Sequence, residues 1–145
     1  PVLTNCIFFD NAAYTGGGIY AIGNFSVMNC SFYENIATIS GAHIYLSGEM
    51  TLQNCIVWGS DNGLSGSTIV VKYSTIQGGY AGTGNRDEDP LFIDASNSDF
   101  RLMTASPCID NGTAEDAPDR DIRGVARPQG AGFDMGAYEM IPGEE

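Results

Sequence analysis

Leu3-Thr4-Asn5-Cys6-Ile7-Phe8 returns as Val27-Met28-Asn29-Cys30-Ser31-Phe32 and again as Leu52-Gln53-Asn54-Cys55-Ile56-Val57, so Cys6, Cys30 and Cys55 recur at a nearly constant interval. The first two copies run on into Phe-x-x-Asn, from Phe8 to Asn11 and from Phe32 to Asn35. A small-residue turn and an apolar pair follow, in Gly16-Gly17-Gly18-Ile19-Tyr20 and Gly41-Ala42-His43-Ile44-Tyr45. The third copy places the same element at Gly66-Ser67-Thr68-Ile69-Val70. A period of roughly 24–25 residues is too short for a helical-hairpin repeat. It suits one coil of a parallel β-solenoid, in which short strands and their bends make each turn.

Alternation within each unit points Leu3, Cys6 and Phe8 inward, with Val27, Cys30, Phe32 and Leu52, Cys55, Val57 in the same places. Thr4, Ile7, Met28 and Ser31 then point outward. The Asn breaks the alternation because its side chain tolerates the left-handed backbone of a tight bend. Stacked strands lie about 4.8 Å apart, so equivalent residues form ladders. Asn5, Asn29 and Asn54 are expected to form an amide ladder, and Cys6, Cys30 and Cys55 a thiol ladder beside it. No Cys-x-x-Cys or Cys/His cluster of zinc spacing occurs, so these cysteines are expected to pack in the core as small apolar groups.

Composition agrees with a strand-rich chain. The 145 residues are 43% apolar and include 19 glycines. Long Leu, Glu and Lys runs of helical period are absent. Acidic residues outnumber basic ones 18 to 6, and only Lys72 among the basics precedes Arg86. Nucleic acid and anionic lipid need clustered Lys and Arg, so neither is expected as a partner. No stretch approaches the roughly 18 apolar residues of a membrane span. The chain opens with Pro1 inside a repeat, which predicts a piece trimmed from a longer parent whose first coil here has no cap.

The second half carries ordered motifs: Tyr73-Ser74-Thr75-Ile76-Gln77-Gly78-Gly79, Asp89-Pro90-Leu91-Phe92, Ser106-Pro107-Cys108-Ile109-Asp110, Arg127-Pro128-Gln129-Gly130 and Asp134-Met135-Gly136-Ala137-Tyr138-Glu139. They are similar to the C-terminal region of the choice-of-anchor Q proteins, and the preceding repeats resemble those of bacterial polymorphic outer-membrane proteins. The resemblance implies a secreted or surface-displayed bacterial protein and brings no catalytic residues with it. Repeat and resemblance together predict an all-β fold, a right-handed parallel β-helix of about three coils over residues 1–84. An acidic, loop-rich C-terminal segment, 85–145, is expected to close it, because an open end would expose strand edges and core.

Ten of the 18 acidic residues fall between Asp87 and Asp121. Asp87, Glu88, Asp89, Asp119 and Asp121 are candidate ligands for a structural calcium ion, which takes six to eight oxygens. Solvated acidic loops paired with Arg86, Arg101, Arg120, Arg123 and Arg127 are the plainer expectation. Asp10 and Glu34, one repeat apart, are the candidate catalytic pair of a glycosidase, which needs two carboxylates on one face. A polysaccharide lyase would need a base and cations, and the coils offer only Lys72 and His43. His43 is expected in a surface bulge at a one-residue insertion.

Outward Phe9, Tyr33 and Trp58 form a candidate contact stripe for sugar rings, for a neighbouring chain or for a loop of the same chain. The sequons at Asn24, Asn29 and Asn111 carry little weight. The function these features predict is a non-catalytic structural or adhesive module at the cell surface. Its open first coil would stack end to end, into filaments if the contact does not close. The alternative is a carbohydrate-binding or polysaccharide-degrading fragment.

Overall fold

The computed structural model describes residues 1–144. Its strands in chain order are β1 (Val2–Thr4), β2 (Ile7–Phe9), β3 (Ala12–Thr15), β4 (Ile19–Ile22), β5 (Phe25–Met28), β6 (Ser31–Tyr33), β7 (Ile36–Ser40), β8 (Ile44–Gln53), β9 (Ile56–Trp58), β10 (Leu64–Lys72), β11 (Thr75–Ile76), β12 (Phe92–Asp94) and β13 (Asp99–Leu102). A single 3₁₀ turn (Ala95–Asn97) joins the last two. The chain is all-β, and its sheets are parallel apart from the antiparallel β12/β13 pair. The first sheet runs β1-β5-β8-β10, with β4 joined to the first half of β8. The second runs β2-β6-β9-β11, and the third is β3 with β7. Leu3 pairs with Val27 and Phe8 with Phe32, each with its equivalent in the next copy of the repeat. Tyr20 pairs with Tyr45 and Val27 with Leu52 in the same way. Each passage of the chain therefore lays its strands in register beside those of the passage before.

Local backbone chemistry sets the corners. Asn5, Asn29 and Asn54 have φ of 52°, 49° and 53°, the left-handed conformation expected of the repeated Asn. Tyr73 takes the fourth place at φ 48°, and Ser74 continues the thiol ladder by accepting the Cys55 N–H at 3.0 Å. Where β8 bends, Gly48 has φ 149°, and a Cβ there would run into the Gly23 carbonyl. Side chains pointing in from the first two sheets make one core, with Val27, Cys30, Phe32, Ile44, Leu46, Leu52, Cys55 and Val57 essentially dry. Phe8 stacks on Phe32 at 4.9 Å between centroids and 7° between planes. Each such side chain contributes about 1.5–3 kcal/mol by leaving water.

The third passage differs from the expected alignment. Ile44 pairs with Leu64, and Glu49, Met50 and Thr51 pair with Thr68, Ile69 and Val70, so Gly66–Val70 lies one element later than the repeat implied. The register offset between passages shortens here because Ser60, Asp61 and Asn62 replace a whole strand. The Ser60 hydroxyl donates to the Asn35 carbonyl at 2.7 Å and the Ala42 N–H to the Asn62 carbonyl at 3.2 Å. Among the described residues the third sheet accordingly stops at β7.

His43 is not at the surface. The extra residue sits in β7, where the register shifts opposite Tyr14. The imidazole itself is fully buried, lies edge-on to Phe32 at 6.2 Å and meets the Asn35 amide through Nδ1 at 3.0 Å. Glycines make the room: a Cβ on Gly63 would come within 2.6 Å of His43 Cδ2.

The C-terminal segment does two things. Residues 83–88 run along the free edge of β11, with N–H bonds from Arg86 to Ser74 O at 2.9 Å and from Ile76 to Arg86 O at 2.9 Å. From Leu91 onward the chain turns back along the flank. It covers the outer face of the second sheet and makes a second core from Ile56, Phe92, Phe100, Leu102, Cys108 and Met135. Ile7 and Ser31, expected to face solvent, lie under this layer, Ser31 with 1% of its surface exposed. No helix among the described residues is long and apolar enough to cross a membrane.

Candidate functional site

The most elaborate polar arrangement in the chain is where this returning segment meets the Asn corners. Asn54 Nδ2 donates to Asn29 Oδ1 at 3.2 Å and to the Thr113 carbonyl at 2.7 Å, while its Oδ1 accepts the Thr113 N–H at 2.8 Å. Asn29 Nδ2 donates to the Asp134 carbonyl at 3.0 Å and the Gly136 carbonyl at 3.4 Å. Asn5 Nδ2 donates to the Arg120 carbonyl at 2.8 Å, and Asn5 Oδ1 accepts Arg127 Nη2 at 3.2 Å. The Ala137 N–H reaches Ser31 Oγ at 3.1 Å and the Gly136 N–H reaches the Asn54 carbonyl at 2.7 Å. Of the expected amide ladder only the Asn54–Asn29 rung is amide to amide. The other side chains turn sideways to read the backbone of residues 113–136, which satisfies groups that burial would otherwise penalise.

Asn54→Gly is expected to lower stability by about 1–3 kcal/mol through these lost bonds. Asn54→Ala adds about 1–2 kcal/mol, because an L side chain without local hydrogen bonding is strained at this φ. Urea unfolding of the two variants beside the parent separates the two contributions.

Beneath the corners lies a buried charge cluster. Arg127 and Glu139 have fully buried side chains and pair at 2.9 Å from Nη1 to Oε2. Arg127 Nη2 also donates to the Gly136 carbonyl at 3.1 Å. Glu139 accepts the Gln129 N–H at 3.0 Å and the Asp134 N–H at 3.1 Å. Asp121 accepts the N–H groups of Arg123 at 2.7 Å, Val125 at 2.9 Å and Glu139 at 3.0 Å. Burial pulls the Asp121 carboxyl upward, but those donors and the Arg123 charge outweigh it and hold it below its ordinary value.

Asp134 accepts the Asp110 N–H at 2.8 Å and the Met140 N–H at 2.7 Å. There burial wins, and its carboxyl is pushed up to about 7. Burial also lowers Arg127 against the attraction of Glu139. Each of these carboxylate oxygens already accepts from an N–H of its own chain. The cluster therefore ties chain to chain and offers no oxygen to a ligand.

The sequence candidates fall in four places. Asp10 and Glu34 are exposed at left-handed corners, φ 53° and 48°, and Gly59 continues their row at φ 88°. The row is set by a backbone need that Asp, Glu and Gly all meet. Glu34 interacts with the Tyr33 hydroxyl, which burial first and the Glu34 charge second push upward in pKa.

The contact stripe is largely covered by the chain itself. Phe9 packs on Phe100 at 5.0 Å, and Tyr33 packs on Phe92 and Phe100, both at 5.7 Å. Tyr33 and Trp58 still border a hollow of about 390 Å³ shared with Asp89 and Asp94.

The calcium candidates are not brought together, and no cluster of three or more metal-binding side chains occurs among the described residues. Asp87 accepts the Gly78 N–H at 3.1 Å, Asp89 the Leu91 N–H at 2.9 Å, and Glu88 pairs with Arg86 at 2.8 Å. Asp121 is enclosed as above and Asp119 is exposed. Asp89 and Asp121 serve as acceptors for their own local turns.

Cys6, Cys30 and Cys55 are free thiols in the ladder, the Cys6 N–H meeting Cys30 Sγ at 3.4 Å. Burial raises Cys55 to about 12 and takes Cys30 higher, with Cys55 adding to the effect. Cys30 and Cys55 are inert as nucleophiles at neutral pH.

The residues that sequence reasoning passed over are Arg127, Glu139, Asp121 and Asp134 as one buried network. Their signal was the motif set after Arg127, and nothing in it linked Arg127 to Asn5 across 122 residues. Compared with known protein families, curated proteins and solved structures, the chain matches none.

Proposed function

We propose that the chain is the closing part of a right-handed parallel β-helix of choice-of-anchor Q type. On this reading it serves as a non-catalytic structural or adhesive module of an extracellular or cell-surface bacterial protein. Parallel pairing of successive repeat units in all three sheets, in register in the first two for these pairs, supports the β-helix reading. The observation that carries the structural role is how the chain uses its buried ionisable groups. Arg127 joins the returning segment to Asn5, and the carboxylates of Glu139, Asp121 and Asp134 are taken up by N–H groups of that segment's own backbone. β1, β2 and β3 are edge strands of their sheets, and a parallel edge is a template for another turn of strands from the same polypeptide or from another. Reducing-sugar and unsaturated-uronate assays across polysaccharides, with and without calcium, are expected to show no turnover. Turnover on any of them overturns the non-catalytic reading.

On the adhesive reading, the hollow beside Tyr33 and Trp58 is the place where a glycan would bind. An aromatic rim fits a neutral sugar through ring stacking. On a glycan array, Trp58→Ala is expected to lower the signal about tenfold, equivalent to about 1.4 kcal/mol. An array on which parent and variant give the same signals removes the hollow as the site.

A further inference from the structure

The third sheet ends in the middle of the molecule, and that end is a consequence of the short third passage. β7 pairs with β3 along one edge, and among the described residues no strand lies against the other. Residues 60–62 connect the level of Asn35 to that of Ala42 directly, so the strand that would have continued the sheet is missing. The open edge is interior to the sequence and owes nothing to whatever precedes Pro1.

The edge is competent to pair. The Ile36 N–H donates to the Asn11 carbonyl at 2.8 Å. In a parallel ladder a residue sends its N–H and C=O to one neighbour and the next residue sends both to the other side. Those of Ala37 accordingly face away from β3. Natural edges are protected by Lys, Pro, inward charges or bulges; Ile36-Ala37-Thr38-Ile39-Ser40 has none of the first three, and its bulge lies past the regular Ile36-Ala37 pairing. The face beside the edge is apolar: Tyr14, Ile36 and Ile39 are 78%, 59% and 73% exposed.

Charge decides what would fit. Exposed Glu34 precedes the strand, and exposed Asp61 lies in the crossing loop beside it. Residues 1–71 contain no Lys or Arg at all. A second copy of this chain joined edge to edge would bring together two acidic surfaces that carry no Lys or Arg, which disfavours it. We propose that the free edge of β7 accepts an extended, β-branched segment of a partner protein flanked by Lys or Arg, which fills the place of the missing third-sheet strand. Main-chain bonds to Ala37 give affinity, the Ile36/Ile39 face takes alternate side chains, and Glu34 and Asp61 select basic flanks.

The inference rests on the pairing of β3 with β7 and stands apart from the β-helix and adhesion readings. Its test uses the full chain and a synthetic peptide of alternating Val and Thr with Lys pairs at both ends. A second peptide has Glu in place of Lys. Hydrogen exchange of the chain with the Lys peptide is expected to slow the Ala37 amide about tenfold or more, and salt weakens binding. Ala37→Pro removes the outward N–H but keeps the bonds to β3, and is expected to weaken binding at least about tenfold. Ile39→Lys, on an exposed face where folding is unaffected, is expected to do the same.

Equal affinity of parent, Ala37→Pro and Ile39→Lys overturns the proposal, as does equal binding of the Glu peptide. So does the absence of any protection at Ala37. Concentration-dependent dimers of the parent that Ala37→Pro abolishes would assign the edge to a second copy instead.

Discussion

Arg127→Met is expected to lower stability by about 3–5 kcal/mol, the range for removing one partner of a buried ion pair. Glu139 would remain as a buried carboxylate with only the Gln129 and Asp134 N–H donors, while Asn5 Oδ1 would lose the Arg127 donor and the Gly136 carbonyl would keep only the longer bond from Asn29. The pair itself contributes less than this loss implies, because both charges were taken out of water to form it. Arg127→Met combined with Glu139→Gln is therefore expected to recover at least half of the deficit, since the neutral amide keeps an acceptor for Gln129. Urea unfolding gives the magnitudes. Hydrogen exchange locates the effect, with the amides of Thr113, Gly136 and Ala137 losing protection first. A single variant within about 1 kcal/mol of the parent would show that the cluster does not hold the segment.

Stability should also depend on pH through two buried groups that act in opposite directions. Burial drives the His43 imidazole down to about 4, with the Trp58 carbonyl opposing it, against about 6.5 in an unfolded chain. Between those values the unfolded chain holds the extra proton. The His43 contribution is thus complete above pH 6.5 and lost as pH falls towards 4.

Asp134 behaves the other way. Burial lifts it to about 7, opposed by the Met140 and Asp110 N–H groups and reinforced by the Glu139 charge, against about 3.9 unfolded. Its contribution is complete below pH 4 and lost as pH rises through 7. At about 1.4 kcal/mol per pKa unit, each swing is about 3–4 kcal/mol.

In the parent the two offset one another from pH 4 to 6.5, and the net decline appears only above that window. His43→Gln is expected to expose a stability that falls continuously from pH 4 to 7. Asp134→Asn is expected to expose one that rises from 4 to 6.5. Urea midpoints at half-unit intervals test this, repeated in high salt to screen the repulsion of the net −12 charge. Parallel curves for parent and both variants would refute it.

The sequence was most legible where one position repeats one backbone demand. Asn5, Asn29 and Asn54 recur because a left-handed corner recurs, and Cys6, Cys30 and Cys55 recur because the space behind it is small and apolar. The second core was hidden by reading each strand as one-sided. Ile7, Phe9, Tyr33, Ile56 and Trp58 made β2, β6 and β9 apolar on both faces, the mark of strands covered on both sides. The third passage was misaligned because a deletion preserves local pattern while changing the partner, so Gly66–Val70 resembled the element it does not join.

The acidic residues misled in a different way. Asp87, Asp89 and Asp121 are close in sequence, yet each is taken up by its own backbone N–H donors, Gly78, Leu91 and the set Arg123, Val125 and Glu139. Crowding along the chain is not convergence in space. The Arg127–Asn5 contact carries no local signature at all.

The strap formed by residues 113–137 bears on cooperativity. Parallel strands added one passage at a time give a stability close to a sum of neighbour terms, and such arrays fray from whichever end is weaker. This strap touches Asn5, Asn29 and Asn54, so opening the first passage breaks bonds that also hold the second and third. The molecule should unfold in one concerted transition, with the opening free energies at Asn5 and Leu52 nearly equal. Cutting the strap would restore gradual fraying.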